Sequence, residues 1–160
     1  MVSLETDLDL DFNPGEMNDD ETVDMSTTQN VKWVAKLGSQ AYGNVTIGNG
    51  RVFAGTNNES PRDEGKKGDR GVVMCFDEKS GELDWQLVIP KLGAGKVSDW
   101  EYIGVCSSPA IEGDRVYVVT NKCEVVCLDI AGFSNGNDGP FMDEASYVKP
   151  KGTQDLLNEK

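Results

Sequence analysis

The segment that decides the fold is NVTIGNGRVFAGTN, residues 44–57, because the chain repeats it without a gap as SPAIEGDRVYVVTN, residues 108–121. A second match follows in each copy, where VVMCFD at residues 72–77 corresponds to EVVCLD at residues 124–129. The first copy carries a polar insertion, residues 58–71, between its matching parts. Short repeated strands at a spacing of about 40 to 60 residues predict stacked β-units.

Each copy has the pattern of three apolar strands separated by polar turns. Residues 48–50 (GNG) and 112–114 (EGD) are the expected tight turns, since Gly, Asn and Asp adopt positive φ at low cost. The strands at residues 116–119 and 125–128 are apolar throughout, so both faces of their sheet are expected to be buried. Radial packing covers both faces of an antiparallel sheet. The sequence therefore predicts an all-β fold, a partial β-propeller of four-stranded antiparallel blades.

Residues 75–85 (CFDEKSGELDW) and 107–118 (SSPAIEGDRVYV) resemble segments of a known family. The first resembles the tryptophan-docking motif of quinoprotein-type propellers, in which a strand ending in Asp is followed by a Gly turn and an outer-strand Trp. The second is similar to the opening of a blade in the same family, the pyrroloquinoline quinone (PQQ)-like β-propeller repeat proteins. The resemblance covers about residues 31–132.

This resemblance assigns structural roles to individual residues. Gly81 permits the tight turn after Asp77, and Trp85 offers a large ring with one N–H group to the adjacent blade. Trp33 is the expected outer-strand tryptophan of a preceding blade. The second copy begins the same turn, but no tryptophan follows it. The expected docking residues are Trp33, Asp77, Gly81, Trp85, Asp129 and Gly132.

The repeat and the resemblance together divide the chain into parts. Rings of this family have about seven or eight blades, so the chain is expected to be a fragment of a longer protein with about two of them. Uncovered end sheets should then make the isolated chain aggregate or self-associate. The expected parts are an acidic extended lead-in (1–30), the outer strand of a preceding blade (31–41), a first blade (42–88) with its insertion (58–71), a connecting loop (89–102), an incomplete second blade (103–132), and a polar loop and tail (133–160).

Charge is concentrated at one end of the chain. Residues 1–30 hold nine acidic and no basic residues, whereas the remainder holds 19 acidic and 15 basic ones. Such an acidic stretch argues against nucleic acid and anionic membranes as partners. No stretch is long and apolar enough to span a membrane, and no signal peptide is visible. Family resemblance nevertheless implies export to the periplasm or beyond.

The four cysteines have two kinds of position. Cys75 and Cys127 match in the two copies and lie within apolar strands, so they are expected to be small buried side chains. Cys106 and Cys123 are expected at the same rim, and a disulfide between them is a hypothesis for an exported protein, with free thiols as the alternative. Cys123 and Cys127 would lie on the order of 13 Å apart along a strand, too far to share a zinc ion.

The sequence offers a fold but no catalytic constellation. It contains no histidine, which excludes Ser-His-Asp and Cys-His catalysis within these residues. PQQ and calcium are cofactors by resemblance only, and the Cys-Cys pair of the PQQ-dependent alcohol dehydrogenases is absent, since Ser107 follows Cys106. Three functions stay open. They are an exported binding or scaffold propeller with protein partners at its rim, a fragment of a quinoprotein dehydrogenase whose catalytic residues lie on other blades, and a purely structural repeat of a larger protein.

Overall fold

The computed structural model describes residues 11–92 and 100–132. This part of the chain is all-β apart from one short 3-10 helix, Met25–Thr27. Its strands pair only in antiparallel fashion, as the sequence predicts. They are β1 (Glu16–Met17), β2 (Val23–Asp24), β3 (Thr46–Gly48), β4 (Arg51–Asn57), β5 (Gly71–Asp77), β6 (Leu83–Ile89), β7 (Ala110–Glu112), β8 (Arg115–Val119) and β9 (Val125–Asp129).

The two copies of the repeat form two separate sheets. The first sheet has four strands in the order β3-β4-β5-β6, and the second sheet has three in the order β7-β8-β9. The predicted insertion is the loop between β4 and β5, although Gly71 already belongs to β5, where it pairs with Asn57. The first sheet ends at Ile89, one residue beyond the predicted boundary of its unit.

Two-residue turns join the first two strands of each sheet. In the first sheet, Asn49 and Gly50 both have positive φ, 53° and 74°, which is the pattern of a type I′ turn. In the second sheet, Gly113 has a φ of 59° and Asp114 has no positive φ, which is the pattern of a type II′ turn. Both turns match the twist of the strands they join, so each hairpin closes without splaying.

Both faces of the first sheet are covered. One face packs against the second sheet, and the other packs against the extended residues 31–38. Strands β4 and β5 are therefore buried at nearly every position. The buried residues between the sheets are Phe53, Val73, Cys75, Ile89, Val105, Val116, Val118 and Ile130, and those on the other face are Val52, Val72, Met74, Phe76 and Val88.

The second sheet corrects the expectation that both of its faces are buried. Burial alternates along β8, and the outward face exposes Val119 (48%) and Val125 (74%). Cys127, predicted to be buried like Cys75, is exposed on this face. The continuous apolar segments do form strands, β8 and β9, but no element among the described residues covers their outer side. We call this surface, formed by Tyr117, Val119, Val125 and Cys127, the outer face.

The structure adds detail to the first part of the chain. Residues 31–41 are not assigned to any sheet, although the backbone N–H of Asn57 in β4 donates a 3.3 Å hydrogen bond to the carbonyl oxygen of Gln40. The described part of the lead-in, residues 11–30, is not simply extended. It folds back as a small β1-β2 hairpin that is closed by an Asn13–Gln29 bridge. Residues 1–10 and 133–160, and half of the predicted connecting loop (residues 93–99), lie outside the described residues.

The described residues include no helix that is long and apolar enough to cross a membrane.

Candidate functional site

Trp33 lies over the turn that follows β5. Its indole N–H donates a 2.9 Å hydrogen bond to the carbonyl oxygen of Glu78, and its ring centroid is 6.3 Å from that of Phe76. Gly81, with a φ of 74°, lies beneath the indole, and a Cβ atom added there would be 2.5 Å from Trp33 Cδ2. Glycine alone both adopts this φ cheaply and leaves room for the ring.

Trp85 on β6 makes the equivalent contact with the second sheet. Its indole N–H donates a 3.1 Å hydrogen bond to the carbonyl oxygen of Ile130, and its ring centroid is 6.0 Å from that of Phe53. Gly132, with a φ of 60°, lies beneath this indole, and a Cβ atom there would be 2.6 Å from Trp85 Cδ1. The structure thus pairs four residues that the sequence analysis named one by one, Trp33 with Gly81 and Trp85 with Gly132.

The two tryptophan contacts share the same spacing along the chain. In each, 45 residues separate the tryptophan from the residue whose carbonyl accepts its N–H. The turn beneath Trp85 is one residue shorter, since Gly132 follows Asp129 by three positions and Gly81 follows Asp77 by four. The glycine nevertheless lies under the ring in both. The same contact therefore occurs once on each sheet, and each indole binds the segment that carries it to the following sheet.

Asp77 and Asp129 shape the turns on which the indoles lie. Asp77 Oδ1 accepts hydrogen bonds from the backbone N–H of Ser80 (2.7 Å) and of Lys79 (2.9 Å). The pKa of the Asp77 carboxyl is lowered below its ordinary value, mainly by the hydrogen bond from the Ser80 backbone and next by the one from the Ser80 side chain. Asp129 Oδ1 accepts the backbone N–H of Ala131 at 2.7 Å in the same way. Both aspartates act on backbone amides of their own turns, which is an architectural role.

A second repeated contact, which the sequence analysis missed, involves the asparagine at the end of the second strand of each unit. The side chain of Asn57 is buried and donates to the carbonyl oxygen of Tyr102 at 2.6 Å, while its Oδ1 accepts the N–H of Ser39 at 3.0 Å. Asn121 donates to the carbonyl oxygen of Pro90 at 3.0 Å. Each side-chain amide thus binds a backbone group that follows a tryptophan-containing segment: Ser39 follows the segment of Trp33, and Pro90 follows the strand of Trp85. The sequence signal for this contact is the Thr-Asn pair that both copies have at residues 56–57 and 120–121.

Cys75 lies in the interface between the two sheets. It is fully buried, and this burial, with a smaller contribution from Asp84, raises the pKa of its thiol to about 12. The thiol is therefore protonated and unreactive at neutral pH. Its counterpart Cys127 lies on the outer face opposite Tyr117, and the side-chain hydrogen bond and the electrostatic interaction between the two raise the pKa of the Tyr117 hydroxyl.

All four cysteines are free thiols in the structure. Cys106 is exposed, as is Cys123, which has a φ of 61°. A disulfide between Cys106 and Cys123 stays a hypothesis for the oxidised protein. Cys106 lies in the segment before the first strand of its unit, because β7 begins at Ala110.

The surface near the insertion contains an open cleft of about 810 Å³. Its walls are mostly polar, and they include the ion pair of Lys36 with Glu21 and the hydrogen bond of Ser39 with Glu59. Arg62, also on the wall, lies 5.8 Å from the centroid of the Phe76 ring. Among the described residues, no three His, Cys, Asp or Glu side chains are placed to hold one metal ion.

No protein-family model matches the sequence, and a search of curated proteins finds no significant match.

Proposed function

We propose that the chain is a segment of an exported PQQ-like β-propeller repeat protein, in which the two sheets are consecutive blades of a binding or scaffold propeller. The observation that supports this most strongly is the repeated contact of an indole with a positive-φ glycine and with the backbone carbonyl two or three residues before that glycine. A contact that recurs at the same chain spacing, between successive units, is what a ring of equivalent blades requires.

The scaffold role is favoured by how the chemically capable residues are used. The aspartates of the repeat accept backbone amides, the tryptophan N–H groups bind carbonyl oxygens, and the thiol of Cys75 is held neutral inside the interface. These groups hold sheets together, which is a property of the fold and not of a reaction. Binding would then fall to the loops at the rim, where the polar cleft and the exposed Trp100 lie.

A titration with PQQ and Ca²⁺ tests this proposal against the dehydrogenase alternative. The protein expressed from its complete reading frame should show no alcohol-dependent reduction of an artificial electron-acceptor dye after incubation with both. Dye reduction that requires PQQ, Ca²⁺ and alcohol together would replace the scaffold function by the quinoprotein dehydrogenase function. The blade architecture would survive that result, because it depends on the indole contacts and is tested separately.

Replacing Trp85 by phenylalanine tests the indole contact itself. The Trp85→Phe variant keeps an aromatic ring but loses the hydrogen bond to Ile130, so we expect a loss of about 1–2 kcal/mol in the free energy of unfolding. Trp33→Phe should lose a similar amount through Glu78. Urea unfolding measures both. The matched control is Trp100→Phe, whose ring is 70% exposed and whose replacement should change stability by less than about 0.5 kcal/mol. Equal effects at all three positions would contradict the docking role.

A further inference from the structure

The outer face of the second sheet is an apolar surface that can be compared with the equivalent face of the first sheet. Val125 is 74% exposed and Val119 48% exposed, and Cys127 lies beside them. The repeat places Val73 and Cys75 of the first sheet at the positions of Val125 and Cys127. Both of these counterparts are fully buried, because the second sheet covers them. The equivalent face of the first sheet is thus covered by a further sheet of the same repeat, and it is the model for a cover on the outer face.

The second sheet also has a free edge where the first sheet has a fourth strand. In the first sheet, β6 pairs with β5 so that Trp85 is opposite Cys75 and Leu87 is opposite Val73. In the second sheet, β9 is an edge strand, and no described strand pairs with its outer side. An apolar edge of this kind readily accepts a strand from another chain.

Residues 31–37 have the properties of the strand that the second sheet lacks. Trp33 corresponds to Trp85 in both its hydrogen bond and its glycine contact. From residue 31 to residue 37 the side chains alternate between half-buried and exposed, as they do in a strand. Among the described residues, however, no backbone–backbone hydrogen bond joins this segment to a neighbour. One end of the described chain thus carries a strand without a sheet, and the other carries a sheet without its fourth strand.

We propose that a second copy of this chain binds the outer face head to tail, with its residues 31–37 added antiparallel to β9. This inference rests on the proposed repeat architecture and goes beyond it. The repeat predicts the register, in which Trp33 of one copy is opposite Cys127 of the other and Ala35 is opposite Val125. The outer face then packs against the first sheet of the bound copy, as the first and second sheets pack within one chain.

Head-to-tail addition is heterologous, so it continues until a ring closes or a filament grows. Each copy contributes two sheets, and about four to eight sheets make a propeller ring, so about two to four copies would close one. The net charge of −13 opposes association at low ionic strength, and added salt should therefore strengthen it.

Sedimentation velocity of the 160-residue chain over a range of concentrations tests the proposal. The wild-type chain should show whole-number multiples of the single-chain mass, increasing with concentration and with salt. Val125→Lys should stay at the single-chain mass, because it places a charge on the outer face, at its most exposed valine. The matched control is Val45→Lys, since Val45 is 54% exposed and lies outside this face, and this variant should associate like the wild type.

A second variant blocks the other half of the contact. Successive backbone N–H groups of a strand point to opposite sides, so the double variant Val34→Pro, Ala35→Pro removes a donor toward β9 whichever side faces it. Neither N–H donates a hydrogen bond in the described part of the chain, so the fold should survive, with an unchanged thermal midpoint as the check. This double variant should also remain at the single-chain mass.

Mixing the two blocked variants gives the decisive result. Each alone lacks one half of the contact, but the proline variant keeps its outer face and Val125→Lys keeps its strand, so the mixture should form a one-to-one dimer and nothing larger. In the associated wild type, alkylation of Cys127 should slow several-fold, as its counterpart Cys75 is buried.

Three results would overturn the proposal: a wild-type chain of single-chain mass at every concentration, a proline variant that associates like the wild type, or a mixture that stays unassociated. The second would indicate face-to-face pairing of two copies. If the wild type is a single chain while the Trp33 and Trp85 variants lose stability as expected, the repeat architecture stands and only the head-to-tail contact fails.

Discussion

Alanine at position 132 should lower the free energy of unfolding by about 2–5 kcal/mol. The left-handed backbone at Gly132 costs an alanine about 1–2 kcal/mol, and the crowding of its Cβ against the Trp85 ring adds about 1–3 kcal/mol. The neighbouring atom at 2.6 Å belongs to a large ring packed on Phe53, so it has little freedom to move aside. Urea unfolding monitored by circular dichroism measures the loss, and Gly81→Ala beneath Trp33 should behave alike.

The chain supplies matched controls for both glycines. Gly113 has a φ of 59° against 60° at Gly132, and Gly50 has the same φ of 74° as Gly81, but a Cβ at either control position would meet no atom within 4 Å. Gly113→Ala and Gly50→Ala therefore carry the backbone cost alone, about 1–2 kcal/mol. The excess loss at Gly132 and Gly81 isolates the contact with the indole. If each pair lost the same amount, the indole would not be packed on the glycine in solution.

The internal repeat made the elements of the two sheets predictable. Two aligned copies fix the register of strands and turns more firmly than a single pattern does, so the hairpins at Gly50 and Gly113 and the antiparallel pairing were foreseen. Which glycine lies under which indole was not predicted, but the tryptophans and the turn glycines were named individually, since a large ring and a positive-φ turn each leave a signature in the sequence. These features are local or are repeated within about fifty residues.

Other features could not be predicted from the sequence, mainly because they depend on which part of the chain lies next to a given surface. The apolar residues of β8 and β9 indicated a sheet with two dry faces, yet Cys127 is exposed, since a pattern records suitability for burial and not the presence of a neighbour. The burial of Asn57 was equally invisible, because its partners Ser39 and Tyr102 are distant in sequence. The small hairpin in the lead-in was hidden by its acidic composition, which resembles that of disordered segments.

Replacing Phe53 by alanine should remove about 3–5 kcal/mol from the free energy of unfolding, which is the usual cost of deleting a fully buried aromatic ring. Phe53 lies in the interface between the sheets, directly against Trp85, so the cavity would open where the second sheet is held. The measurement is urea unfolding in the Val125→Lys background, which keeps the chain single if the head-to-tail contact is correct.

Tyr117 is the matched control, because the repeat places it where Phe53 lies and only the covering sheet differs. In the Val125→Lys background, Tyr117→Ala should cost about 1 kcal/mol or less, since its ring lies on the uncovered outer face. In the associating wild-type chain, the same replacement should cost more, because a second copy then buries the tyrosine. Equal costs at Phe53 and Tyr117 in the single chain would mean that the outer face is already covered within one molecule. In contrast, a cost at Tyr117 that rises with protein concentration would show that it is covered by another copy.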